Sequence, residues 1–132
     1  MGENSTRLCQ TGCNTGFAYW AIKMCVSECP SSPAMFSYVS GSTRICVSSC
    51  NSSSTHLFGD AQASRSCVAT CSSSPVATFG NYGTNLCVER CPVSNQYGDP
   101  NHANRHCVTN CATVPAQTYA YTVTKLCVST CP

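Results

Sequence analysis

The sequence predicts a small disulfide-rich repeat array, with short β modules stacked into an elongated rod, little helix and no large core. Three observations carry this. Fourteen of the 132 residues are cysteine, a density typical of disulfide scaffolds in oxidising compartments. All fourteen fall in seven Cys-x-x-x-Cys motifs recurring about every 20 residues, the mark of a repeat architecture. Val, Leu, Ile, Met, Phe and Trp are spread thinly through the repeats instead of gathering into runs, so one sizeable core cannot form.

The motif appears as Cys25-Val26-Ser27-Glu28-Cys29 and again at Cys46 to Cys50, Cys67 to Cys71, Cys87 to Cys91, Cys107 to Cys111 and Cys127 to Cys131. A copy from Cys9 to Cys13 has Gln10 in place of the valine. Units therefore start near residues 9, 25, 46, 67, 87, 107 and 127, and residues 1–132 read as one continuous array. Residues Met1 to Arg7 lack an apolar leader, and Pro132 follows the last motif directly. Both features are expected of a segment of a longer chain or of a polymerising subunit. Gly2 and Thr6 match a myristoylation pattern, but a lipid added in the cytosol is at odds with an exported disulfide protein.

Within each unit an aromatic follows the motif: Phe36, Phe58, Phe79, Tyr97 and Tyr119, with Phe17 or Tyr19 serving the first. One aromatic per unit is expected to plug a small module against its own disulfide. Phe58-Gly59-Asp60, Phe79-Gly80-Asn81 and Tyr97-Gly98-Asp99 then read as turns. A basic residue stands two positions before a motif's first cysteine at Arg7, Lys23, Arg44, Arg65, Arg105 and Lys125, with Asn85 in the remaining copy. In a stacked array these form a row of charge, read as a solvated face whose stems cover apolar surface, with a partner-docking stripe as the competing reading.

A second period overlies the first. Pro33, Pro75 and Pro115 fall eight residues after alternate first cysteines, and His56, His102 and His106 lie in the other repeats. Successive modules are therefore expected to point to opposite sides. Alternation at Tyr38-Val39-Ser40 and Arg44 to Ser48 predicts short extended pieces, and Tyr119 to Val128 is the strongest strand candidate.

Three cysteine connectivities compete. Closure inside each motif leaves the intervening residues unheld, and crossed pairing of adjacent motifs leaves one of seven over. A ladder joins the second cysteine of each motif to the first of the next: Cys13-Cys25, Cys29-Cys46, Cys50-Cys67, Cys71-Cys87, Cys91-Cys107 and Cys111-Cys127. Each such loop contributes about 3 kcal/mol by chain entropy, which replaces the missing core, and the ladder is favoured. It leaves Cys9 and Cys131 to bond to neighbouring repeats or subunits.

A net charge of +2 gives no reason to expect nucleic acid, and no stretch is long and apolar enough for a membrane-spanning helix. The five acidic residues, Glu3, Glu28, Asp60, Glu89 and Asp99, are dispersed, and no cysteine stands apart beside a base. No catalytic residues, resident metal or cofactor are therefore expected. His102 and His106 with Cys107 are the one local grouping of metal-ligating type, and the three-residue spacing of the motifs differs from zinc knuckles. Asn4-Ser5-Thr6 and Asn51-Ser52-Ser53 are glycosylation sequons, so Asn4 and Asn51 are expected acceptors in an exported chain.

The succession of aromatic, Gly, Asp or Asn, basic residue and x-Cys-Val-x-x-Cys-Pro, clearest from Tyr97-Gly98-Asp99 to Cys107-Val108-Thr109-Asn110-Cys111, resembles the furin-like, growth-factor-receptor cysteine-rich repeats. It resembles still more the arrays of such repeats on ciliate and other protist surface proteins. That resemblance implies rod-like stacking, ladder pairing and an exposed location, and transfers no catalytic residue. Asn14, Asn51, Ser72 and Ala112 replace the proline after the second cysteine. The expected function is an extracellular structural repeat protein, a surface coat, stalk or filament subunit that self-associates head-to-tail or laterally. The alternative is a ligand-binding segment of a receptor-like ectodomain, with Phe17-Ala18-Tyr19-Trp20 as its candidate surface.

Overall fold

The computed structural model describes residues 13, 15–50, 57–100, 105–111 and 118–132. Among them are twelve short strands and no helix: β1 (Phe17–Tyr19), β2 (Met24–Val26), β3 (Phe36–Ser40), β4 (Thr43–Val47), β5 (Phe58–Asp60), β6 (Ser66–Val68), β7 (Phe79–Asn81), β8 (Leu86–Val88), β9 (Tyr97–Gly98), β10 (Cys107–Val108), β11 (Tyr119–Tyr121) and β12 (Leu126–Val128). Consecutive strands pair into six antiparallel hairpins, numbered one to six.

One register serves all six. The repeat's aromatic stands opposite the valine of the following motif: Phe17 and Val26, Phe36 and Val47, Phe58 and Val68, Phe79 and Val88, Tyr97 and Val108, Tyr119 and Val128. Aromatic and β-branched partners across a strand pair are worth about 0.2–1 kcal/mol, which gives the recurring valine its role. Phe17, not Tyr19, is thus the first unit's aromatic.

The turns come later than the Gly-Asp and Gly-Asn pairs suggest. Phe58-Gly59-Asp60, Phe79-Gly80-Asn81 and Tyr97-Gly98 are strand residues. The chain reverses after them, and the third residue steadies the reversal: Asp60 Oδ1 accepts from the Ala63 amide at 3.1 Å, and Asn81 Oδ1 from the Gly83 amide at 2.9 Å. Tyr119 to Val128 is likewise a hairpin, closed by the Lys125 amide donating to the Tyr121 carbonyl at 2.9 Å.

Hairpins join into sheets by parallel pairing. The first strand of each lies beside the second strand of the next, giving an eight-stranded order β2-β1-β4-β3-β6-β5-β8-β7 and a four-stranded order β10-β9-β12-β11. A parallel bridge between Gly80 and His106 links the two sheets. Because β1 runs parallel to β4 while β4 opposes β3, each hairpin points opposite to its neighbour along the ribbon. The alternation of proline repeats with histidine repeats follows this reversal; Ser32-Pro33 and Ser74-Pro75, both cis, precede hairpins two and four.

Six disulfides run down the array: Cys13-Cys25, Cys29-Cys46, Cys50-Cys67, Cys71-Cys87, Cys91-Cys107 and Cys111-Cys127. The closed unit therefore runs from the second cysteine of one motif to the first of the next, and the motif itself straddles two units. Most of these cysteines are buried and, with Phe36, Phe58 and Phe79, make up most of the apolar core. Cys131 is an exposed free thiol, and Cys9 lies outside the described residues.

Candidate functional site

The arrangement that recurs most closely is the joint between successive hairpins. It is built from four positions of the repeat: the aromatic, the residue after it, the basic residue and the disulfide.

The backbone part rests on an unusual conformation. Lys23, Arg65, Asn85, Arg105 and Lys125 all have positive φ, between 44° and 60°. For residues other than Gly and Asn this left-handed region costs about 1–2 kcal/mol. At four of the five positions the residue's carbonyl accepts a hydrogen bond from the preceding hairpin. The Ser37 amide donates to Arg65 at 3.0 Å, and the Gly59, Gly80 and Gly98 amides donate at 2.8 Å to Asn85, Arg105 and Lys125. In each case the donor is the residue after the aromatic.

That residue also forms the floor for a ring. A Cβ on Gly59 would come within 2.7 Å of the Phe36 ring, one on Gly80 within 2.5 Å of Phe58, and one on Gly98 within 2.7 Å of Phe79. Each ring thus lies against the backbone of the next hairpin, an approach only glycine permits. Phe58 packs with Cys71, Cys87 and Val68, and Phe79 with Cys91, Cys107, Val88 and Leu126. The aromatic therefore plugs the following module's disulfide and not its own, correcting the expectation of self-contained plugs. The geometry forces this, since the ring projects across the parallel seam.

The basic side chain closes the joint from above. Arg44 Cζ stands 4.9 Å from the centre of the Phe17 ring, Arg105 Cζ 5.0 Å from Phe79 and Lys125 Nζ 5.0 Å from Tyr97. Cations over ring faces contribute about 0.5–1 kcal/mol at exposed sites. Arg44 and Lys125, together with Arg65, also reach the loop leading into the preceding hairpin: Arg44 Nε donates to the Gly16 carbonyl at 2.9 Å, Arg65 Nη2 to the Cys29 carbonyl at 2.7 Å and Lys125 Nζ to the Val93 carbonyl at 3.0 Å and also to that of Ser94. At Arg44, Arg65, Arg105 and Lys125 the row of basic residues is thus neither a plain solvated face nor a free docking stripe, because these charged heads themselves bind the neighbouring module.

The third joint departs from the pattern. Asn85 replaces the cation there, and Phe58 meets the edge of Tyr82 at 5.3 Å between ring centres. Tyr82 in turn packs edge-on to His106 at 5.1 Å, so one turn residue touches hairpins three and five. His106 is thereby placed in the joint at the junction of the two sheets. His102, Asn4 and Asn51 lie outside the described residues, as do Arg7 and Pro115.

Sequence reasoning identified the cations, aromatics and cysteines but did not bring them together. The missed signal is the residue after each aromatic, which is always small: Ala18, Ser37, Gly59, Gly80, Gly98 and Ala120. No protein-family model, curated protein or solved structure matches the chain.

Proposed function

We propose that this chain is an extracellular, non-catalytic structural protein: a disulfide-laddered rod that serves as a surface coat, stalk or filament subunit and associates with copies of itself. Its disulfide density fits an oxidising exterior compartment. No helix among the described residues is long and apolar enough to cross a membrane. The observation that carries the proposal is the repeated joint. The side chains with binding chemistry, Arg44, Arg65, Arg105, Lys125 and the aromatics Phe17, Phe36, Phe58, Phe79 and Tyr97, are spent on holding one module to the next. A relation to furin-like repeats, or to the protist surface arrays, rests on the shared motif, and glycans at Asn4 and Asn51 suit the same exposed setting.

Negative-stain imaging and sedimentation velocity of the oxidised protein test this reading. Elongated particles whose mass grows with concentration are expected, and compact particles of constant mass would overturn it.

A ligand-binding ectodomain is the second reading, favoured by Trp20. Its side chain is 61% exposed at the tip of hairpin one, beside a groove of about 280 Å³ shared with Ser42, Arg44 and Ile45. Loss of ligand capture but not of assembly in Trp20→Ala would favour this alternative.

A further inference from the structure

The internal joint has two unlike halves. The leading half presents an aromatic and the amide of the next residue along the outer edge of a first strand. The following half presents a second strand, a left-handed basic residue, a small residue and a disulfide. Four joints show the amide-to-carbonyl bond and three show the ring lying on glycine.

Among the described residues, the leading half at β11 stands without its complement. β11 is the outermost strand of its sheet. Tyr119 occupies the aromatic position yet is 43% exposed, whereas Phe36, Phe58 and Phe79 are at most 5% exposed. Ala120 follows it and is exposed too. In this register, with Ala120 opposite Cys127 as Gly98 is opposite Cys107, the Ala120 amide faces outward. The exposed thiol of Cys131 belongs to the same end, at the position where each interior joint has its next disulfide.

The first motif of the sequence supplies the complementary residue types at the required spacing. Arg7 stands two residues before Cys9, as Arg105 does before Cys107 and Lys125 before Cys127. Gly2 stands seven before Cys9, as Gly80 does before Cys87 and Ala120 before Cys127. We infer that the β11 edge receives the leading segment of a second copy, residues Gly2 to Gln10, and repeats the interior joint between subunits. In that segment Arg7 takes the sequence position of Arg105 and Lys125, and Gly2 that of Gly80, so it supplies the cation and the small residue that the Tyr119 and Ala120 edge calls for. The result is a polar, head-to-tail filament built by strand addition. Cys131 and Cys9 then form the next rung: each thiol gives up one proton and one electron, the sulfurs bond, and a disulfide oxidant is reduced to two thiols. This inference rests on the self-associating reading and names its interface.

Two single variants and their mixture test it, read by sedimentation velocity at rising concentration. Ala120→Pro removes the outward donor at an edge where proline is tolerated, and Arg7→Glu reverses the cation. Disulfide mapping and far-ultraviolet circular dichroism check that each is folded, and Arg7→Glu alters no described residue. Each variant alone is expected to stay monomeric, with the dissociation constant raised about tenfold or more, while Cys131→Ser still associates without a covalent link. Mixing the two variants pairs the intact tail of Arg7→Glu with the intact head of Ala120→Pro, so the mixture stops at dimers. If the wild type associates and both variants associate equally well, this joint is refuted while self-association stands. A wild type that remains monomeric at its highest soluble concentration overturns the self-associating reading itself.

Discussion

The ring of Phe58 rests on Gly80, so closely that a Cβ at residue 80 would stand 2.5 Å from Phe58 Cζ. The two residues belong to different hairpins, and their contact measures how tightly one module seats on the next. Gly80→Ala is therefore expected to destabilise the oxidised protein by about 1–3 kcal/mol through overpacking. Phe58→Leu in the same chain should recover part of that loss. Denaturant unfolding with the disulfides intact gives the coupling, and strictly additive effects would mean the contact is not the cause.

Tyr82 stands in for a cation. Tyr82→Ala removes the edge-on partner of Phe58 and should cost about 1 kcal/mol. Adding Asn85→Arg should return part of it by placing a guanidinium where Arg105 lies over Phe79 in the next joint. No recovery would mean that Tyr82 acts chiefly through His106.

Arg105→Gln keeps the carbonyl that binds the Gly80 amide but removes the cation over Phe79. Hydrogen exchange at Gly80 should speed up about two- to fivefold, the equivalent of one cation-ring contact. An unchanged rate would assign the joint's strength to the backbone alone.

Replacing both Cys91 and Cys107 by alanine opens a loop of sequence separation 16 and should cost about 3 kcal/mol. Because Phe79 packs on this bond, protection from exchange should fall in hairpin four as well as hairpin five. A loss confined to hairpin five would contradict the cross-module plug.

The cysteine ladder was legible because a constant period leaves few connectivities that hold every loop. The reversal of successive hairpins was legible too, through Pro33 and Pro75 alternating with the histidine repeats. The joint was not. Gly59, Gly80 and Gly98 precede Asp or Asn, a pairing whose ordinary meaning is a turn, and here the glycine serves ring contact inside a strand. Nor does a lysine or arginine announce a left-handed backbone, which these residues seldom adopt. At Lys125 that conformation is held by tertiary partners, the Gly98 amide on one side and the Tyr97 ring on the other. The asparagine at position 85, at home in that region, was the one hint.

The ladder also fixes how the protein carries a pull. From Cys13 the shortest covalent route crosses to Cys25, follows Val26, Ser27 and Glu28 to Cys29, then crosses to Cys46, and so on to Cys127. Apart from the cysteine and valine that end its second strand, every hairpin lies on a side branch of that route. Tension applied along the chain from Cys13 to Cys127 can straighten only the three-residue links, so the hairpins hide no extensible length. A protease that nicks the exposed Ser73–Ala77 stretch leaves both pieces tied through Cys71-Cys87. Only a cut between the two cysteines of one motif parts the strand, so the covalent path from Cys13 to Cys127 is both inextensible and tolerant of nicks.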